Sequence, residues 1–178
     1  FIQNARILIR IKKEYPRLVI VAKIENYKGL KNIAEICKVC DVIMIDRGDL
    51  SAEIGEENLF SAIMEISKIT KSYGKSLIMA TENIESMILR KSPSKSEIVS
   101  LGLSLGLKTD KIMLSDETAT AKNWFKIINW LNQYIKFNKS KLFKKNVQIS
   151  EKYIDIFWNT INKMEGLPII IFSKKGFA

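Results

Sequence analysis

Four times along the chain a short, near-continuous apolar run ends abruptly on polar or charged residues: LVIVAKIE at 18–25, VIMIDRGD at 42–49, SLIMATE at 76–82 and KIMLSDE at 111–117. Runs that stay apolar, rather than alternating with polar residues, suit strands buried on both faces, as in a parallel sheet. Between them the period lengthens, and 29–38, 57–73 and 96–107 are expected to be helices. The second carries Leu59, Phe60, Ile63, Ile66 and Ile69 on one stripe. The third has a marked start, because Ser94 and Glu97 follow Pro93 with the spacing of a capping box. Strand alternating with helix predicts βαβ crossovers and an α/β fold.

Composition narrows this picture. With 178 residues, 47% hydrophobic and 27% charged, the chain has the balance of a folded globular protein. Its longest apolar runs, such as 18–22, fall far short of the roughly 20 residues a membrane-spanning helix needs. It opens on Phe1 with no leader pattern, so it is expected to be an internal piece of something longer, in the cytoplasm. The formal charge of +10 raises the question of a polyanionic partner, since seven lysines and no acid lie between Lys122 and Lys145. No platform of aromatics and arginines for stacking bases accompanies them. That stretch is expected to be a solvated helix and linker, with neither nucleic acid nor membrane as a partner. Phosphorylated small substrates would suit a basic protein equally well. Cys37 and Cys40 form C-K-V-C at the end of a helical stretch, the wrong end for a redox motif. With no histidine in the chain, zinc would need acids to complete its ligands, so the pair is expected to serve packing.

The chemistry gathers at the strand ends. In α/β barrels and open α/β sheets alike, ligands bind at the carboxyl ends of the strands. Here those ends are Lys-x-Glu, Asp-Arg-Gly-Asp, Thr-Glu and Ser-Asp-Glu. Lys23 and Glu25 stand two apart, so on a strand they share a side, about 7 Å apart along it. An ammonium beside a carboxylate suits a phosphate oxygen and a divalent cation. Asp49 would add a second carboxylate from the neighbouring strand, because magnesium favours one or two carboxylates plus water and substrate oxygens. Gly48 permits close backbone approach, and amides opening a helical turn after it could receive a substrate carboxylate.

AKIEN followed by YKGLKNIAEI, then IMIDRGDLSAEIG, MATENIESM and IMLSDETA, resembles in order and spacing the second half of the catalytic domain of pyruvate kinase. FIQNA is similar to the end of that barrel's fourth strand, and GLPIIIFSKKGFA to the start of its C-terminal domain. The resemblance implies strands five to eight of a (β/α)8 TIM barrel over 1–135. A linker and the beginning of an α/β C-terminal domain would follow over 136–178. It implies transfer of a phosphoryl group from phosphoenolpyruvate to ADP, giving pyruvate and ATP, the last step of glycolysis. Lys23 matches the lysine that stabilises the phosphoryl group in flight, and Glu25 and Asp49 match ligands of Mg2+ (or Mn2+). Gly48 and Asp49 match residues whose amides receive the substrate carboxylate, and Thr81 a threonine that contacts the same carboxylate. Arg47, Ser115 and Glu117 match motif positions expected to line the site. K+ is implied for the full-length parent, as is a homotetramer.

The chain departs from the family pattern in places. ARGDLGVEIP becomes DRGDLSAEIG, introducing Asp46, Ser51, Ala52 and Gly55, and MATQMLESM becomes MATENIESM, placing Glu82 beside Thr81. Asp116 replaces a glycine, and Lys95 stands where an arginine is usual, a poorer bidentate partner. Two other readings stay open at this point. One is a magnesium-dependent lyase or aldolase handling pyruvate enolate, which would not depend on ADP. The other is a catalytically impaired relative that binds a phosphorylated metabolite. Half a barrel also exposes two strand edges, so these residues alone are expected to be inactive.

Overall fold

In the computed structural model, the described residues are 2–142; residues 143–178, most of the second unit expected at 136–178, lie outside them. Four parallel strands lie side by side in sequence order: β1 Val21–Ile24, β2 Val42–Asp46, β3 Ser76–Ala80 and β4 Lys111–Ile112. The four predicted runs thus contain the four strands, each shorter than its run.

Helices link them. α1 (Arg6–Glu14) precedes β1; α2 (Tyr27–Lys31) and α3 (Ile33–Val39) join β1 to β2. Next, α4 (Arg47–Ile54) and α5 (Glu56–Ser72) lead to β3, then a 3₁₀ turn (Glu85–Ile88) and α6 (Lys95–Gly106) to β4. α7 (Asp116–Thr120) and α8 (Trp124–Leu142) close the described chain. None of these helices is long and apolar enough to cross a membrane.

The two faces of the sheet have different fates. Ala22, Ile24, Ile43, Ile45, Leu77 and Met79 are buried in one cluster with Ile33, Ile36 and Cys37 of α3, Leu50 of α4 and Ile63 and Ile66 of α5. The intervening positions, Lys23, Met44 and Ile78, share a level through the pairs Lys23↔Met44 and Met44↔Ile78 and are only partly buried. The period of two therefore puts Lys23, and one step further Glu25 and Asp46, on the face turned away from the helices. A second cluster joins Ile84, Met87 and Leu101 to Ile127 and Leu131 of α8, so the described part of this lysine-rich segment is a helix, as expected, but one that buries an apolar side rather than being solvated all round. Cys37 and Cys40 are free and fully buried, as packing residues should be.

Several local expectations change. The helix expected over 29–38 begins earlier, at Tyr27, because Asn26 caps it by accepting from the Gly29 amide at 2.8 Å. It breaks at Asn32, whose side chain donates to the Gln3 carbonyl at 2.7 Å. Gly29 is required there, since a Cβ would stand 2.7 Å from the Ile2 carbonyl oxygen. Phe60, placed on the buried stripe of α5, is 58% exposed, while Ala62, Ser67 and Thr70 complete the buried face. Gly55, with φ +88°, turns the chain between α4 and α5; the family's proline would hold φ near −65°. The capping box at α6 is present as read, with both Ser94–Glu97 bonds formed.

Two aspartates tie the strand starts together in the same way. Asp41, just before β2, accepts from the Ile20 amide at 2.7 Å and from Lys12 of α1 at 2.7 Å. Asp110, just before β4, accepts from the Leu77 amide at 2.8 Å and from Lys71 of α5 at 2.6 Å. Burial pushes the Asp110 carboxyl up, but the Lys71 ammonium and the Leu77 amide together carry it below the usual range. A carboxyl lowered in the folded state stabilises the fold fully above its unfolded value of about 3.9, and that contribution fades as pH falls through the folded value. Asp110→Asn is expected to cost about 0.5–1 kcal/mol at pH 7, a value held down by solvent screening of the half-exposed pair. Urea denaturation at pH 7 and at successively lower pH checks this: the gap from wild type should narrow as pH falls below about 4, and a gap independent of pH would contradict it.

Candidate functional site

The carboxyl ends of β1, β2 and β3 converge on one cluster of charge. Lys23 leaves β1 on the face away from the helices, and its ammonium lies 2.5 Å from Glu25, 2.8 Å from Asp46 and 3.2 Å from Asp49. Glu25 follows Ile24, and Ile24 pairs with Ile45, so Glu25 and Asp46 end neighbouring strands at the same level. Both are about 95% buried. Two like charges side by side in a low dielectric repel strongly, and a cation between them offsets that repulsion. Lys23 supplies that cation in this structure. Its bonds to Asp46 first, then Glu25, hold the ammonium well above the ordinary lysine range despite some burial, so it stays charged at any working pH.

One oxygen from each of Glu25, Asp46 and Asp49 falls within 4.8 Å of the others. Three hard carboxylate oxygens at that spacing fit a divalent cation such as Mg2+ or Mn2+. Glu25 and Asp49 were the sequence-derived ligands; Asp46, noted only as a departure from the family pattern, is equally close and far more buried than Asp49. Its signal in the sequence was the alternation itself, because Met44 and Asp46 share the face of Lys23.

The turn after β2 is built around Thr81. Asp46 caps α4, accepting from the Asp49 amide at 3.4 Å. The Arg47 and Gly48 amides both point at the Thr81 hydroxyl oxygen, each at 3.1 Å. That hydroxyl donates to the Ala80 carbonyl at 2.8 Å and stands 3.3 Å from Asp46 Oδ1. Thr81, Gly48, Asp49 and Lys23 are therefore brought together as the sequence reading required.

Arg47 takes a different place from the one expected. It is buried, and its guanidinium faces the chain beyond β3, donating to the Ala80 carbonyl at 3.2 Å and Asn83 Oδ1 at 3.0 Å, and to the Thr81 carbonyl and the Ser100 hydroxyl. Asn83 in turn donates to the carbonyls of Met79 at 3.2 Å and Met113 at 2.8 Å. This network spans the start of α4, β3 and the turn after it, α6 and the segment after β4. It holds Thr81, Glu82 and Ile84 in left-handed backbone, with φ of 59°, 51° and 53°, a conformation that costs a β-branched residue of order 1 kcal/mol or more. Arg47 and Asn83 thus position Thr81 rather than line the site. Ser115 spends its hydroxyl capping α7, and Glu117 is exposed in that helix's first turn; among the described contacts neither bonds to the cluster. Glu82, Lys95 and Asp116 are exposed.

Residues 2–126 match the pyruvate kinase barrel domain. A pyruvate kinase of Thermotoga maritima is 36% identical over 166 residues, covering 90% of this chain and 36% of its own length. One from Encephalitozoon cuniculi is 43% identical over 103 residues, 58% of this chain and 24% of that protein. Plastidial pyruvate kinase 3 of Arabidopsis thaliana is 28% identical over 192 residues, 99% of this chain and 33% of its own. The chain therefore spans about a third or less of the length of these curated relatives.

Proposed function

The chain belongs to the pyruvate kinase family, and from that premise we propose that the full-length protein moves a phosphoryl group from phosphoenolpyruvate to ADP, giving pyruvate and ATP. The observation that carries this reading is the Lys23 ammonium set among the carboxylates of Glu25, Asp46 and Asp49 at the ends of neighbouring strands. Phosphoryl transfer asks a protein mainly for positioning and for neutralisation of charge on the moving group. Lys23 supplies a permanent positive charge that can turn from the carboxylates to a phosphoryl oxygen. Glu25 and Asp49 would hold Mg2+ (or Mn2+), which when bound would offset negative charge on the substrate. The α4 amides at Gly48 and Asp49, with the Thr81 hydroxyl, form the polar corner where the substrate carboxylate would rest. Donors already fixed by the turn lose little freedom on binding, which favours rate over mere affinity.

K+ and a homotetramer go with this reading of the full-length protein. Most K+ ligands of the family belong to the first half of the barrel, which these residues do not include. The lyase or aldolase alternative gains nothing from the relatives, and it leaves the ammonium at the phosphoryl position without a task. ADP dependence separates the two. Pyruvate formation from phosphoenolpyruvate by the full-length protein should require ADP; formation that proceeds equally without nucleotide would overturn the proposal.

The 178-residue chain by itself should show no turnover. Among the described residues the sheet is open, with β1 and β4 at its edges, and Leu18 and Val19 beside β1 are 53% and 72% exposed. Assay of the purified chain beside the full-length protein decides this, and pyruvate formation by the chain alone would refute it.

A further inference from the structure

We propose that Asp46 is a specificity-determining residue of this site, a built-in carboxylate that occupies the donors meant for the anionic substrate; the inference rests on the function proposed above. The donors assigned to substrate are Lys23, the amides of Gly48 and Asp49, and Thr81. Asp46 touches three of the four residues. Its carboxylate stands 2.8 Å from the Lys23 ammonium, accepts from the Asp49 amide at 3.4 Å, and lies 3.3 Å from the Thr81 hydroxyl. Its side chain is only 7% exposed, so it is held there by the fold rather than resting at the surface.

The charge balance gives the direction. Glu25, Asp46 and Asp49 against Lys23 leave this cluster with two net negative charges; with alanine at 46, as in the ARGD form of the motif, it would carry one. A divalent cation then brings the cluster to neutrality here and to a net positive charge in the alanine form. Asp46 therefore favours the cation and disfavours the phosphorylated acid, and a substrate must displace it from Lys23 before using that ammonium.

Asp46→Asn tests this with the least disturbance, because the amide oxygen can still accept from the Asp49 amide and cap α4 while the charge is gone. Asp46→Ala removes both. In the full-length protein, calorimetry should measure binding of phosphoenolpyruvate in the presence of Mn2+, and electron paramagnetic resonance should measure binding of Mn2+ alone. Asp46→Asn is expected to tighten phosphoenolpyruvate binding, and lower its KM, by roughly tenfold, about the worth of one charge-assisted hydrogen bond. Mn2+ binding should weaken by a similar factor. A residue that only capped the helix would give neither change in the asparagine variant. Phosphoenolpyruvate affinity equal to or weaker than wild type in Asp46→Asn, or no binding in either protein, overturns the inference. Turnover is scored separately. A wild type that makes no pyruvate, with binding still tightened by Asp46→Asn, would reject the phosphotransferase reading and keep the role of Asp46.

Discussion

Lys23→Met in the full-length protein is expected to lower kcat for ADP-dependent pyruvate formation about a thousandfold, roughly 4 kcal/mol of transition-state stabilisation. Methionine keeps the length and shape of the stem and removes the charge. What is lost is an interaction strongest when the phosphoryl group lies between donor and acceptor, so the loss should fall on kcat more than on KM. The same change leaves Glu25 and Asp46 adjacent and buried without the cation that separates them. Mn2+ should therefore bind the variant at least as well as wild type, since its carboxylates no longer share their charge with an ammonium. Steady-state kinetics with Mn2+ titration checks both halves. A variant retaining more than a tenth of wild-type kcat would remove Lys23 from the phosphoryl role. A variant that lost Mn2+ together with turnover would show that the substitution had damaged the site as a whole.

The second large effect belongs to a residue outside the chemistry. Arg47→Met should destabilise the protein by about 3 kcal/mol, because it strands buried acceptors at Ala80, Thr81 and Asn83 that the guanidinium satisfies. Against a total stability of about 5–15 kcal/mol, that is a large share. Arg47→Lys should recover little of it, since one ammonium cannot reach acceptors on separate chain segments as a planar fork does. Losing the network would also free the left-handed turn at Thr81, so KM for phosphoenolpyruvate should rise in whatever protein still folds. Denaturant unfolding and steady-state kinetics of both variants test the claim. If Arg47→Lys matched wild type in stability, the multi-donor account would fail.

Asp46 and Arg47 stand side by side in the sequence, yet they illustrate opposite kinds of legibility. The alternation along β2 puts position 46 on the open face with Lys23 and position 45 in the core. Nothing in that alternation reveals Arg47, because β2 ends at Asp46 and the helix begins at once. Arg47 is buried by its partners on β3, α6 and the turn between them, which are 33 to 53 residues away. The same holds for Asn83, whose bonds reach across to Met113. The short helices α1 and α4 also escaped the pattern. In α1, Leu8 and Ile11 pack on the core while Ile7 and Ile9 beside them are 54% exposed, so a run of alternating apolar residues this short did not announce a helix.

Local chemistry along the chain was sufficient for the four strands, their parallel α/β character, the capping box at Ser94 and the face shared by Lys23 and Glu25. Each depends on periodicities of two or 3.6 residues, or on bonds between near neighbours. The family was legible as well, because its motifs lie within short stretches. Only the tertiary structure decided that Asp46 shares the ammonium with Glu25, that Thr81 receives the α4 amides, and that Arg47 turns away from the site to brace it. Those are contacts between strands whose register and spacing are set by packing of the whole sheet against its helices. Sequence proximity carries no information about them.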